Sequence, residues 1–155
     1  MSKCEDRLAE MGIALPVPSA PVANYLPFTR TGNIVHISGQ VSNDGVGGIK
    51  GTVGGDLDAD AGIAAARVCG INLLAQMKSA AGSLDNVVRV IKLGAFVQAG
   101  PEFYDIPRVI NGCSDLMVAV FGEAGKHARS AVGVYKLPLG FAVEIDAMIE
   151  VMDRR

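Results

Sequence analysis

Val143-Glu144-Ile145-Asp146-Ala147-Met148-Ile149-Glu150-Val151 decides how this chain folds. Val143, Ile145, Ala147, Ile149 and Val151 take every second position, and Glu144, Asp146, Met148 and Glu150 fill those between. A period of two marks a β-strand with one face in a core. The apolar row predicts a face turned toward helices, and the other row a face that meets water or a second subunit. Upstream, His127-Ala128-Arg129-Ser130-Ala131-Val132-Gly133-Val134 forms a small-residue strand, and a tight connection through Leu137-Pro138 joins the two. A fixed cation at Arg129 and a carboxylate at Glu144 on the returning strand read as a carboxylate clamp and a general base. That pairing points to chemistry on a small anionic molecule.

Working outward, Val87 to Val97 is dominated by β-branched residues and predicts a strand, central in the sheet. Before it, Ile63, Ala66, Cys69, Ile71, Leu73, Leu74 and Met77 recur at helical spacing between Asp58 and Ala81, with Asp58 and Asp60 at the start and Gly82 just past the end. Acid at the first turn and glycine after the last fit a long helix lying on a sheet. Val109, Ile110, Leu116, Met117, Val120 and Phe121 mark a second helix, entered at Pro107. Asn24 to Arg30 and Ile34 to Gln40 flank Gly32-Asn33 as a hairpin. Glycines at 45, 47, 48, 51, 54 and 55 punctuate a loop with a short strand near Ile49 to Val53. They form no dinucleotide-binding fingerprint, since no strand-Gly-helix arrangement surrounds them. Glu5 to Met11 reads as a short helix with Leu8 and Met11 on one side, and Pro16, Pro18 and Pro21 impose an extended lead-in. The expectation is one domain over 1–155, its first 22 residues a helix and lead-in. It is an α/β chain of the α+β kind, a mixed six-stranded sheet with two main helices on one face.

Composition excludes several classes of function. Net charge is -2, which gives no electrostatic footprint for a phosphate backbone, so nucleic acid is unlikely. Cys4, Cys69 and Cys113 are too few and too irregular for a disulfide framework or a metal site. His36 and His127 lack metal-ligand spacing; one reads as a strand residue and the other as a loop residue near the site mouth. The first residues are charged and no run is long enough to cross a bilayer, so a soluble cytoplasmic protein with no membrane association is expected. Half the residues are hydrophobic and only 19% charged, which makes an oligomer the natural expectation.

Several segments, taken in order, resemble the RidA/YjgF family of enamine and imine deaminases, also called the L-PSP endoribonuclease family. They are Tyr25 before Gly32-Asn33, Ser38-Gly39-Gln40, the Ala81-to-Val88 junction, Asn111, Ala128-Arg129-Ser130, Leu137-Pro138 and Val143-to-Ala147. The resemblance runs over roughly Tyr25 to Val151. It implies a chorismate-mutase-like (bacillus-type) fold assembled as a homotrimer with three clefts between subunits. It further implies hydrolysis of reactive 2-imino acids, formed from enamines, to 2-oxo acids and ammonia, without metal or organic cofactor. Carried over by position, Arg129 clamps the substrate carboxylate and Glu144 positions or activates water. Tyr25, Ser38, Gly39 and Asn111 line the pocket.

Each residue also has a plainer reading. Tyr25 can pack an interface, Asn111 can bridge within its helix, and Glu144 alone reads as a solvated strand residue. Ser38 has no His and Asp beside it in sequence to make it a nucleophile, so its hydroxyl is a hydrogen-bonding group. Asp146, two residues from Glu144 on the same face, is placed to raise the Glu144 pKa as a like charge. The chain departs from the family pattern at Ala23-Asn24, where many members have Gly-Pro, and at Ala131, where many carry cysteine. Cys113 lies elsewhere in sequence and does not replace that cysteine. Two other functions stay open: a module that binds or senses a small 2-oxo acid without turnover, and a ribonuclease.

Overall fold

The computed structural model describes residues 2–18, 20 and 23–154. Pro21 and position 22 of the expected lead-in lie outside them. Helix α1 spans Lys3–Glu10, α2 Ala59–Ala81 and α3 Ile106–Phe121. The strands are β1 Phe28–Thr31, β2 Ile34–Val41, β3 Val87–Gln98, β4 Ala128–Val134 and β5 Val143–Val151.

These strands form one five-stranded sheet in the order β1-β2-β5-β3-β4. Only β3 and β4 run parallel, joined through α3; the remaining pairs are antiparallel. The sixth strand expected around Ile49 to Val53 does not form. Lys50 makes one isolated bridge to Phe141, and Val53 bridges Leu57 and Ala99. Gly48, Gly51 and Gly54 there hold φ of +76°, +132° and +84°, which interrupts any extended run. The first strand also starts later than the hairpin pattern predicts, at Phe28, because 23–25 bend and Pro27 has no N–H to give a ladder.

The alternation in β5 is borne out residue by residue. Val143, Ile145, Ala147, Ile149 and Val151 are buried, and the four residues between them are half-buried. The buried row meets Val35 and Ile37 of β2 and Leu93, Ala95 and Val97 of β3, all facing the helices. Leu73, Leu74 and Met77 of α2 and Val109, Ile110, Leu116 and Met117 of α3 complete this core. Each large side chain removed from water here contributes about 2 kcal/mol.

Helix α2 starts where its sequence signals say. The Asp58 carboxylate accepts the Ala61 N–H at 2.8 Å, and Gly82, at φ +82°, closes the other end with its N–H on the Lys78 carbonyl. Its contact with α3 rests on small residues that periodicity alone overlooks. A β-carbon on Gly62 would lie 3.2 Å from Val109, one on Gly70 would lie 3.0 Å from Leu116, and one on Gly112 would collide with the Ile63 carbonyl. The backbones therefore approach closely, and Ile63 and Ile71 are left half-buried instead of central. Helix α1 is fastened at its start by Asp85, which accepts the Ser2 hydroxyl and the Lys3 and Cys4 N–H groups at 2.8–3.0 Å.

Helices cover one face of the sheet. The other face, with Thr29, His36, Met148, Lys92, Phe96 and Ser130, is left open as a shallow groove of about 560 Å³.

Candidate functional site

Arg129 lies on β4, an edge strand, in register with Leu93 of β3. Leu93 faces the helices, so Arg129 projects to the helix side, toward α3. Pro107, Asn111 and Ser114, spaced i, i+4 and i+7, make one stripe of α3, and that stripe receives the guanidinium. Nη1 donates to Asn111 Oδ1 at 2.8 Å and to Ser114 Oγ at 3.0 Å, and Nη2 donates to the Pro107 carbonyl at 3.2 Å. All three acceptors are neutral. Among the described residues no carboxylate pairs with Arg129, and its Nε–H and one Nη2–H have no partner. The charge is thus held in place and left uncompensated, with donors to spare for a planar anion.

Glu144 lies on the opposite face. Its register partners are Val41 and Phe96, on the open side of the sheet. A bulge in β2 builds this half of the site. Ile37 pairs with Ala147 and Gln40 with Ile145, so Ser38 and Gly39 together oppose the single residue Asp146. Gly39 leaves room for the Glu144 side chain, since a β-carbon there would come within 3.0 Å of the carboxyl group. Gly94 does the same for Asp146: a β-carbon would stand 2.5 Å from Oδ1. Ser38 Oγ donates to the Leu26 carbonyl at 2.7 Å, which ties the segment carrying the half-exposed Tyr25 to the bulge.

The electrostatics of the two carboxylates bear out the like-charge expectation, with a larger cause ahead of it. Burial raises the Glu144 pKa above its ordinary value, and the neighbouring Asp146 raises it further. Burial raises Asp146 too, against the lowering pull of the Gly94 N–H and of Lys92. Both groups therefore hold a proton more readily than carboxylates in water.

Within one protomer, then, the fold brings Arg129 together with Asn111, and separately brings Glu144 together with Gly39 beside Ser38. It does not bring the two sets together, because they occupy opposite faces of one sheet. Sequence reading missed Ser114, although the stripe shared with Pro107 and Asn111 carries the signal. His127, just before β4, is joined to Ser114, with Nε2 2.9 Å from Oγ. Cys113 is no part of either set. It is buried between α2 and α3, and burial pushes its thiol up to about 12.

Comparison with known proteins shows the family. A family model described as "YjgF/chorismate mutase-like, putative endoribonuclease" matches residues 5–148. Protein TCP17 of Trypanosoma cruzi is 47% identical over 145 residues, covering 92% of this chain and 91% of that protein. The crystal structure of Atu1372, a protein of unknown function from Agrobacterium tumefaciens, is 46% identical and superposes with a TM-score of 0.90, over 96% of this chain and 92% of that one. RidA from an Antarctic Psychrobacter is more distant, at 27% identity and a TM-score of 0.62, over 87% and 94% of the two chains. The matched residues contain β1 through most of β5, and with them both halves of the site. The chain belongs to the YjgF/chorismate mutase-like family, which includes RidA.

Proposed function

We propose that the chain hydrolyses small 2-imino acids to 2-oxo acids and ammonia, in clefts where Arg129 of one protomer meets Glu144 of its neighbour in a homotrimer. The observation that carries the reading is the guanidinium of Arg129, fixed by three neutral acceptors and paired with no carboxylate among the described residues. A cation fastened but not neutralised is a standing site for a small carboxylate.

The chemistry follows from the two halves. The carboxylate of the imino acid lies on the remaining Arg129 donors, which fixes the imine carbon relative to the opposing face. With the imine nitrogen protonated, that carbon is electrophilic, and water adds to it. Glu144 takes the proton that the water loses, giving a carbinolamine that bears both hydroxyl and amino groups. Glu144 then returns the proton to nitrogen; as the C–N bond breaks and ammonia leaves, the carboxylate so regenerated takes the hydroxyl proton, the carbonyl forms, and that proton passes to the departing ammonia as ammonium. One water is consumed and no electrons are exchanged. A carboxyl group whose pKa is raised suits these proton transfers near neutral pH. Ser38 and Gly39 border the groove from the open face, and Asn111 fixes the clamp.

Placement on opposite faces supports the inter-subunit cleft, since one protomer cannot offer both groups to one small molecule. The open face supplies a surface for a neighbour, with Phe96 and Met148 half-buried and Val132 exposed. A ribonuclease reading finds less support, because the open row of β5 carries the carboxylates Glu144, Asp146 and Glu150 and the net charge is -2.

Complementation between variants tests the proposal. Arg129→Ala and Glu144→Ala chains, each inactive in ammonia release from freshly generated 2-iminopropanoate, are unfolded together and refolded as a mixture. Recovered activity is expected, because some clefts in mixed trimers pair an intact Arg129 with an intact Glu144. An inactive mixture with full assembly rejects the shared cleft. A wild type that binds pyruvate through Arg129 without releasing ammonia from the imine replaces the enzyme with a binding module.

A further inference from the structure

Arg129 does not end its hydrogen-bonded chain at Ser114. Ser114 Oγ accepts from Arg129 Nη1 at 3.0 Å and lies 2.9 Å from His127 Nε2, while His127 Nδ1 lies 2.6 Å from the Gly125 carbonyl. The direction of the chain follows from its far end. A carbonyl oxygen only accepts, so His127 Nδ1 carries hydrogen. In the neutral ring Nε2 is then a bare acceptor, and the Ser114 hydroxyl must donate to it. With its own hydrogen directed at His127, the Ser114 oxygen offers its lone pairs to Arg129. The polarity runs one way, from guanidinium to serine to imidazole to backbone carbonyl, and each bond strengthens its neighbour.

Ring and hydroxyl are both part-buried, and the Gly125 end is rigid for a steric reason. Gly125 is buried, and a β-carbon on it would collide with the Met117 carbonyl of α3, so the carbonyl that orients His127 is pressed against the same helix that carries Ser114. Arginine otherwise has rotamer entropy to lose when it grips an anion. Here that entropy is surrendered in the folded protein before any ligand arrives.

Resting on the carboxylate-clamp reading above, we infer that Ser114 and His127 are positioning residues for substrate binding. They fix the Arg129 guanidinium by a directed hydrogen-bond chain, and so set the affinity for the substrate carboxylate while leaving the proton transfers at Glu144 alone. The clamp is therefore held along the Ser114–His127 line on one side and by Asn111 and the Pro107 carbonyl as its other anchors. Its outer members act on KM and not on kcat, because they touch neither the reacting carbon nor the water.

The test uses the full-length protein, pyruvate as the binding probe, and 2-iminopropanoate for kinetics. Ser114→Ala is expected to raise KM and the pyruvate Kd about tenfold, and His127→Leu about fivefold, with kcat changed less than about twofold. His127→Gln, which keeps an acceptor near the position of Nε2, is expected to restore binding to within about twofold of wild type. Because His127 acts through Ser114, the double variant Ser114→Ala/His127→Leu should bind no more weakly than Ser114→Ala alone. Multiplying effects, or a drop in kcat at unchanged KM, overturn the proposal. A second readout needs no variant: ring-nitrogen NMR of the wild type at neutral pH should show hydrogen on Nδ1 of His127, and hydrogen on Nε2 instead overturns the chain's direction. Failure of the clamp reading itself looks different, since the wild type would then bind no pyruvate; wild-type binding unchanged in both single variants removes the relay alone.

Discussion

On the helix side of the sheet Arg129 is fastened by three acceptors from α3. On the open side Glu144 and Asp146 stand close together, both held above their ordinary pKa by burial. One half of the candidate site is thus fixed in position by its own helix, whereas the other carries an electrostatic cost that is only partly offset. A cation gains from neutral acceptors without losing its charge, so it can be finished in advance. The Gly94 N–H and Lys92 offset part of the cost at Asp146, whereas both causes acting on Glu144, burial and Asp146, raise it. The difference between the halves is the reason the proposal above places them in a cleft shared between protomers.

The comparison breaks most severely at Arg129. Arg129→Ala is expected to lower kcat/KM for 2-iminopropanoate at least about 100-fold with the fold intact, and Arg129→Lys to recover little, because an ammonium cannot fork onto a carboxylate. Steady-state ammonia release checks both. Glu144→Gln comes next, with kcat reduced about 100-fold and pyruvate affinity nearly unchanged. The same substitution separates chemistry from stability. The fold raises the Glu144 pKa, so the protonated form is the one the fold favours. The cost of ionisation is absent below the ordinary carboxylate value of 4.5, grows as pH rises through the folded value, and is complete above it. Glu144→Gln should therefore melt higher than wild type at neutral pH, with the gap closing in acid, as thermal unfolding against pH will show. An equal gap at all pH values contradicts the electrostatic contrast.

Smaller effects sharpen it. Gly39→Ala places a methyl group within 3.0 Å of the Glu144 carboxyl and should reduce kcat several-fold, roughly fivefold, without altering pyruvate binding at Arg129. Asp85→Asn is remote from both halves and should leave kcat/KM unchanged while loosening α1, read as faster amide exchange over Lys3–Glu10. Three donors on α1 and its cap hold the Asp85 carboxyl below its usual range, the Cys4 N–H foremost. Its contribution is full above 3.8 and is lost as pH falls through the lower folded value, so wild type and variant should converge only in strong acid.

Much of this was legible in the chain itself. The period of two in β5, the capped helical pattern of α2 and the proline-led α3 are local signals, set by where apolar side chains must go and where backbone N–H groups need partners. Asp58 and Gly82 fall where capping chemistry puts them, and the serial motifs name Arg129 and Glu144. The absent sixth strand was not legible, because β-rich residues around Ile49 do not reveal that their glycines adopt left-handed conformations. Nor was Ser114 singled out, since its role depends on which stripe of α3 faces β4.

The sequence by itself determined the helices, the five strands that form and the two faces of β5, because these follow from side-chain period and residue type, and it offered Arg129 and Glu144 as candidates. Only the tertiary structure decided that Arg129 and Glu144 lie on opposite faces, that a two-residue bulge brings Gly39 against Glu144, and that Ser114 links Arg129 to His127. Strand order and register are non-local. They are fixed by how helices and sheet share one core, and no short stretch of chain contains that information.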